Sequence, residues 1–133
     1  MADEGALILV VEDEALIAID LDAILQDAGY RVLVANSVPA ALEMVSHQKP
    51  DVAILDVNLG GSTTFDLADA LSVQNIRLIF LTGHSKKFIP ERLRDRPIIA
   101  KPFLPSVVLE AVGAELRIQA SNTVCGVTKN QET

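Results

Sequence analysis

Four short strand-like runs in this chain end on residues able to do chemistry. Ala6–Val11 stops at Glu12 and Asp13, Val52–Leu55 at Asp56, Arg77–Leu81 at Thr82, and Ile98–Ala100 at Lys101. Runs this brief, bounded by Pro, Gly or charge, read as buried parallel strands rather than helices. In open α/β sheets, ligands sit beyond the carboxyl ends of the strands, so these side chains should converge on one edge. Three carboxylates brought together repel one another and call for a cation. Magnesium suits them, because it prefers oxygen, keeps several waters, and is usually held by one or two carboxylates with a phosphate. A carboxylate can attack phosphorus to give an aspartyl phosphate, a reaction that asks mainly for positioning and charge stabilisation. Asp56, ending the central run, is the candidate nucleophile. The Lys101 ammonium and the Thr82 hydroxyl would meet the phosphoryl oxygens.

Taken singly, each group has a plainer explanation. Asp13 could cap the first helix, Asp56 could cap a loop, and Thr82-Gly83 and Lys101-Pro102 could be ordinary turns. What argues for chemistry is their joint placement, every one of them at the C-terminal end of its strand.

The elements that must position them alternate. After the first strand a helix runs to about Ala28, closed by Gly29 at C′. Its residues Ile17, Leu21, Ile24 and Ala28 should face the sheet, while Leu16, Ile19 and Ala23 form a spare apolar stripe. Tyr30–Ala35 is the second strand. Ser37 caps a second helix with Leu42 and Val45 on its inner side, and His47 is a surface residue near its end. Val57–Gly61 is a loop needing unusual backbone angles, and Ser62–Thr64 caps a third helix reaching about Ser72. Between His84 and Pro97 lie five basic residues and two prolines, so any helix there is short and weakly held. Pro105 to about Ile118 is the last helix, with Val108, Val112 and Leu116 on one face. From Ser121 the chain is polar and reads as a frayed tail. Five strand–helix alternations imply an α/β fold, a parallel sheet doubly wound with right-handed crossovers.

Composition narrows the class. At 133 residues the chain suits one domain, residues 1–120, with 121–133 as a polar, disordered tail. A net charge of −7 disfavours nucleic-acid binding, and the basic cluster Lys86 to Arg96 reads as a solvated face. No apolar run of about 18 residues is present, which excludes a membrane-spanning helix. The N-terminus Met1-Ala2-Asp3-Glu4 is no signal peptide, so a cytoplasmic protein is expected. Cys125, the single cysteine, sits in the polar tail and reads as an unreactive thiol.

The constellation resembles the receiver domain of two-component response regulators, over about Ala6 to Ala120. The resemblance implies a five-stranded sheet of flavodoxin-like order 2-1-3-4-5, the doubly wound order that receivers share with flavodoxin. It implies Asp13 as a direct magnesium ligand and Glu12 as a ligand through water. Asp56 is then the phosphoacceptor and a ligand, with Asn58 giving a backbone carbonyl to the metal. Thr82 matches the switch hydroxyl, Lys101 the phosphoryl-binding lysine, and Pro102 a proline after a cis peptide. There are departures. Gly60-Gly61 stands where many receivers have Pro-Gly, and Ile98 where a switch aromatic is expected. Phe80-Leu81-Thr82-Gly83-His84-Ser85 with Lys101-Pro102-Phe103 is similar to divergent receivers with a Phe-Ala-Thr-Gly-hydrophobic-Tyr motif. Those are often single-domain partners of HWE-type histidine kinases.

The expected function is a single-domain response regulator, a monomer or weak dimer. It would accept a phosphoryl group from a sensor histidine kinase and act through an unknown downstream protein, or as a phosphate sink or relay. It would be no enzyme beyond its own phosphoryl transfer and dephosphorylation. With only a short tail after Ala120, no output domain is expected. The kinase should dock on Leu16, Ile19, Ala23, Phe103 and Leu104. The main rival is a receiver-like adaptor that works without phosphorylation. A phosphatase would want an aspartate where Asn58 stands, and a flavin-binding module a hydroxyl-rich loop after the first strand.

Overall fold

The computed structural model describes residues 5–83 and 88–132, with side chains described through Gln119. Five strands form one parallel sheet: β1 Leu7–Val11, β2 Arg31–Ala35, β3 Val52–Asp56, β6 Arg77–Thr82 and β7 Ile98–Ala100. Their order across the sheet is β2-β1-β3-β6-β7, which in terms of successive sheet strands is 2-1-3-4-5. Between β3 and β6 a small hairpin intervenes, β4 Asn58–Leu59 and β5 Ser62–Thr63. The helices are α1 Ala15–Asp27, α2 Val38–His47, α3 Phe65–Val73 and α4 Pro105–Glu132.

Side-chain alternation along the strands creates two cores. Ile8, Val10, Val52, Ile54, Ile79, Leu81 and Ile99 pack with Leu21 and Leu25 of α1 and Val108, Val112 and Leu116 of α4. The intervening residues Leu9, Val11, Ala53, Leu55, Leu78 and Phe80 pack with Ala41 and Val45 of α2 and Leu67, Ala68 and Leu71 of α3. Every residue of β1 and β3 is buried, because both faces of a doubly wound sheet are covered. That is why these strands read as continuous apolar runs.

Several expectations need correction. The buried seam of α1 is Ala18, Leu21 and Leu25, with Ile17 partly buried. Ala28 is already the C-cap, outside the helix, so Leu25 takes the place in the seam that Ala28 was expected to hold. In α2 the inner positions are Ala41 and Val45, and Leu42 is exposed. The helix phase follows from its start, where the Ser37 hydroxyl accepts from the Ala40 N–H at 3.2 Å. Ser62 and Thr63 form strand β5 instead of capping α3, whose N-cap is Thr64. Gly60 and Gly61, with φ of 58° and 86°, make the two-residue turn; positive φ at both positions is what a hairpin turn of this length needs.

Between Ile89 and Pro97 the chain forms a 3-10 turn at Glu91–Leu93. It is anchored by buried Ile89 and Leu93. Positions 84–87, including His84 and Ser85, lie outside the described residues, as do the Met1–Glu4 terminus and the Cys125 side chain. Helix α4 continues to Glu132, past the expected end near Ile118 and through the stretch read as a frayed tail. No proline stands in that stretch, and once a helix is nucleated each further residue adds a hydrogen bond. Among the described residues no helix is long and apolar enough to cross a membrane.

Candidate functional site

The carboxyl ends of β1, β3, β6 and β7 meet at one edge of the sheet. β1 leaves its pairing with β3 after Val11↔Leu55, and the next residue turns away, the Glu12 N–H bonding to Ala35 O at 3.0 Å. This puts the Glu12 side chain inside, 1% exposed, and Asp13 outside. β3 continues one residue further, to Asp56, which is 6% exposed and registered against Leu81 of β6. One carboxylate oxygen each of Glu12, Asp13 and Asp56 can be chosen so that all lie within 4.8 Å of one another.

The acidic cluster is tied together by a few polar contacts. Lys101 Nζ donates to Asp56 Oδ2 at 3.0 Å. It also lies 3.1 Å from Glu12 Oε1, an ion pair without hydrogen-bond geometry, and 3.9 Å from Glu14 Oε1. Asp56 Oδ1 accepts from the Asn58 N–H at 3.2 Å. Asp13 Oδ2 accepts from the Gly60 N–H at 2.8 Å, so Asp13 holds the hairpin and does not cap α1. The N-cap of α1 is Glu14, with no side-chain cap bond. Glu12 Oε2 accepts from the Glu14 N–H at 3.2 Å.

The electrostatics follow from this crowding. Burial, and then contact with the Asp56 carboxyl, push the Glu12 carboxyl up to about 7, against the pull of the Glu14 N–H and Lys101. For Lys101, burial works against the charge, but the contacts with Asp56 and Glu12 outweigh it and hold the ammonium above the usual lysine value. One ammonium thus faces two buried carboxylates and, at the rim, Asp13 and Glu14. A hard divalent cation fits this all-oxygen donor set, with room left for water. The cleft it would occupy, about 380 Å³, is lined by Asp13, Glu14, Asp56, Asn58, Gly60, Gly61, Gly83 and Lys101.

Thr82 ends β6, buried, and its carbonyl accepts from the Lys101 N–H at 2.8 Å. The Lys101–Pro102 peptide is cis. Ile98, at the position where the resemblance expects an aromatic, is half-buried against the α2/α3 core and registered opposite Phe80. Of the expected docking residues, Leu16 is 83%, Ile19 65% and Leu104 66% exposed; Ala23 is also exposed. Phe103 departs from that set: it is half-buried and packs against the α1/α4 core.

Sequence reasoning missed Thr64. Its hydroxyl donates to the Asp56 backbone carbonyl at 2.8 Å, and the residue is fully buried. The available signal was a hydroxyl residue closing the hairpin ahead of an apolar helix. That signal reads equally as an N-cap.

A family model described as response regulator receiver domain matches residues 8–113. The phyllosphere-induced regulator PhyR of Methylorubrum extorquens is 35% identical over 125 residues, covering 90% of this chain and 47% of that protein. The transcriptional regulatory protein PdtaR of Mycobacterium tuberculosis is 34% identical over 110 residues, covering 79% and 54%. This chain therefore spans about half the length of these curated relatives. Among solved structures, chemotaxis response regulator CheY4 of Vibrio cholerae aligns with a TM-score of 0.75 at 29% identity, covering 84% of this chain and 99% of that one. PhyR from Brucella abortus aligns with a TM-score of 0.80 at 26% identity, covering 92% and 52%.

Proposed function

This chain belongs to the response regulator receiver domain family, and we propose that it works as a phosphoacceptor, taking a phosphoryl group onto Asp56 in a magnesium-dependent reaction. The observation that carries the reading is the Asp56 carboxylate, buried, held by Lys101 and Asn58, and flanked by Glu12 and Asp13 at the mouth of a cleft. Glu12, Asp13 and Asp56, with the Asn58 carbonyl, would hold the magnesium ion. When bound, the ion offsets charge on the transferring phosphoryl group.

The donor is a phosphorylated histidine of a sensor kinase. An Asp56 oxygen attacks phosphorus, the P–N bond breaks as the P–O bond forms, and the imidazole leaves with the bonding pair. Lys101 keeps its ammonium and turns it to the phosphoryl oxygens as the Asp56 charge is spent. The Thr82 hydroxyl, at the end of the neighbouring strand, donates to another of those oxygens. No oxidation state changes, and the aspartyl phosphate is an acyl phosphate open to hydrolysis. The chemistry proposed for the chain is this self-phosphorylation, followed by hydrolysis that returns the Asp56 carboxylate and releases inorganic phosphate. Output is a population shift at the face around β6 that a downstream protein reads.

The kinase docks on the exposed α1 stripe, Leu16, Ile19 and Ala23, and on exposed Leu104. The partial Phe-Leu-Thr-Gly motif, similar to that of the divergent receivers, favours an HWE-type kinase. A cytoplasmic location accords with such a partner. Intact-mass measurement after incubation with magnesium and acetyl phosphate tests the reading: one added phosphoryl group is expected. An adaptor that works without phosphorylation would gain no mass.

A further inference from the structure

Thr64 stands at the N-cap of α3, where a threonine hydroxyl ordinarily accepts from the first turn of its own helix. Here it makes no such bond. Its backbone carbonyl begins the helix, accepting from the Ala68 N–H at 2.9 Å. The hydroxyl turns the other way and donates to Asp56 O at 2.8 Å, with Val57 O at 3.5 Å. The Thr64 N–H also goes to this strand, bonding Val57 O at 3.0 Å. The side chain is completely buried, at 0% exposure, so no water competes for the bond.

The place of this bond matters. Pairing of β3 with β1 ends at Val11↔Leu55, one residue before Asp56. On the other side, β6 holds the strand through the Val57 N–H, which donates to Leu81 O at 2.9 Å. The peptide carrying the acceptor carboxylate therefore emerges from the sheet with one neighbour already gone. A hydroxyl from α3 is what fixes its carbonyl. Fixing that carbonyl fixes the Cα–Cβ direction of Asp56, and with it the 3.0 Å contact of Oδ2 to Lys101.

We propose that Thr64 is a positioning residue for phosphoryl transfer, its buried hydroxyl holding the backbone of Asp56 so that the carboxylate meets the incoming phosphorus in line. The inference rests on Asp56 being the phosphoacceptor. Because reaction rates respond steeply to small misplacement of reacting atoms, removing the hydroxyl should slow the transfer step without changing what the site binds.

The test compares Thr64→Val, which keeps the shape and loses the hydroxyl, with Thr64→Ser, which keeps the hydroxyl. Labelling by acetyl phosphate with magnesium is followed by intact mass, well below the melting temperature of each variant. The expected result for Thr64→Val is a first-order labelling rate at saturating acetyl phosphate about tenfold below wild type. Magnesium affinity, the half-saturating acetyl phosphate concentration and the final labelled fraction should stay within twofold. Thr64→Ser should label at the wild-type rate. A purely structural role would instead lower the labelled fraction and leave the rate constant of the folded molecules alone. Equal rates in Thr64→Val and wild type, or equal losses in both variants, would overturn the proposal. If wild type takes no label, the phosphoacceptor reading fails and this proposal fails with it; a labelled wild type separates the two. Should Thr64→Val not fold, NMR of the wild type decides. The Thr64 hydroxyl proton should be protected from exchange and should shift on labelling, and an unprotected hydroxyl would overturn the proposal.

Discussion

Lys101 Nζ lies 3.0 Å from Asp56 Oδ2, so a side chain just beyond the end of the edge strand β7 reaches past β6 to the carboxylate that ends β3. This ammonium supplies positive charge to the acidic cluster. It neutralises a carboxylate that Glu12 would otherwise repel.

That relationship sets opposite signs for two properties of Lys101→Met. The stem is kept and the charge is lost. Magnesium should bind several-fold more tightly, since its competitor for the carboxylates is gone. Labelling by acetyl phosphate should slow by about a hundredfold or more, since a preorganised donor to the phosphoryl oxygens is gone. Titration calorimetry and time-resolved intact mass read the two effects separately.

Magnesium should raise the melting temperature of the wild type by mass action. In Asp13→Ala this shift should vanish. Loss of the Gly60 N–H bond to Asp13 also loosens the hairpin, so the metal-free variant should melt slightly lower than wild type. Scanning calorimetry with and without magnesium gives both numbers.

The Glu12 carboxyl predicts a pH dependence. Its folded value of about 7 lies above the ordinary 4.5, so the native state holds the proton more tightly than the unfolded chain does. The stability this contributes is fully present below about 4.5 and is lost as pH rises through about 7. The ceiling of the effect is about 3 kcal/mol. Metal-free wild type should therefore lose stability across this window, while Glu12→Gln, which cannot ionise, should be flatter. Denaturant melts at several pH values give the comparison.

Much of this was legible in the residues. Val52–Leu55 and Ala6–Val11 could only be buried strands, and a doubly wound sheet then brings their terminal acids to one edge. The less legible parts depend on three-dimensional phase. Whether Leu25 or Ala28 completes the α1 seam turns on where the helix stops. Whether Leu42 points inward turns on where α2 starts. The hairpin had a signal, Gly60-Gly61 between Leu59 and Ser62, that fits a two-residue turn. Thr64 had none that separates a helix cap from a brace on Asp56, because the choice is made by the direction of one hydroxyl.

Ile19→Glu tests the docking stripe. Ile19 is 65% exposed, so the variant should fold with an almost unchanged melting temperature. Transfer from a phosphorylated kinase should slow, while acetyl phosphate labelling holds its rate. A parallel fall in both reactions would assign Ile19 to the fold, and no fall in either would place docking on another face.

Asp56 as the carrier of the phosphoryl group can be read out chemically. Borohydride reduces an acyl phosphate to the alcohol, which converts a phosphorylated aspartate to homoserine. Wild-type protein labelled with acetyl phosphate and magnesium, reduced with borohydride and mapped by peptide mass spectrometry, should show homoserine at position 56 and at no other aspartate. Homoserine at Asp13 or another aspartate, a reduced glutamate at position 12, or labelled protein with no reduced residue would contradict the assignment.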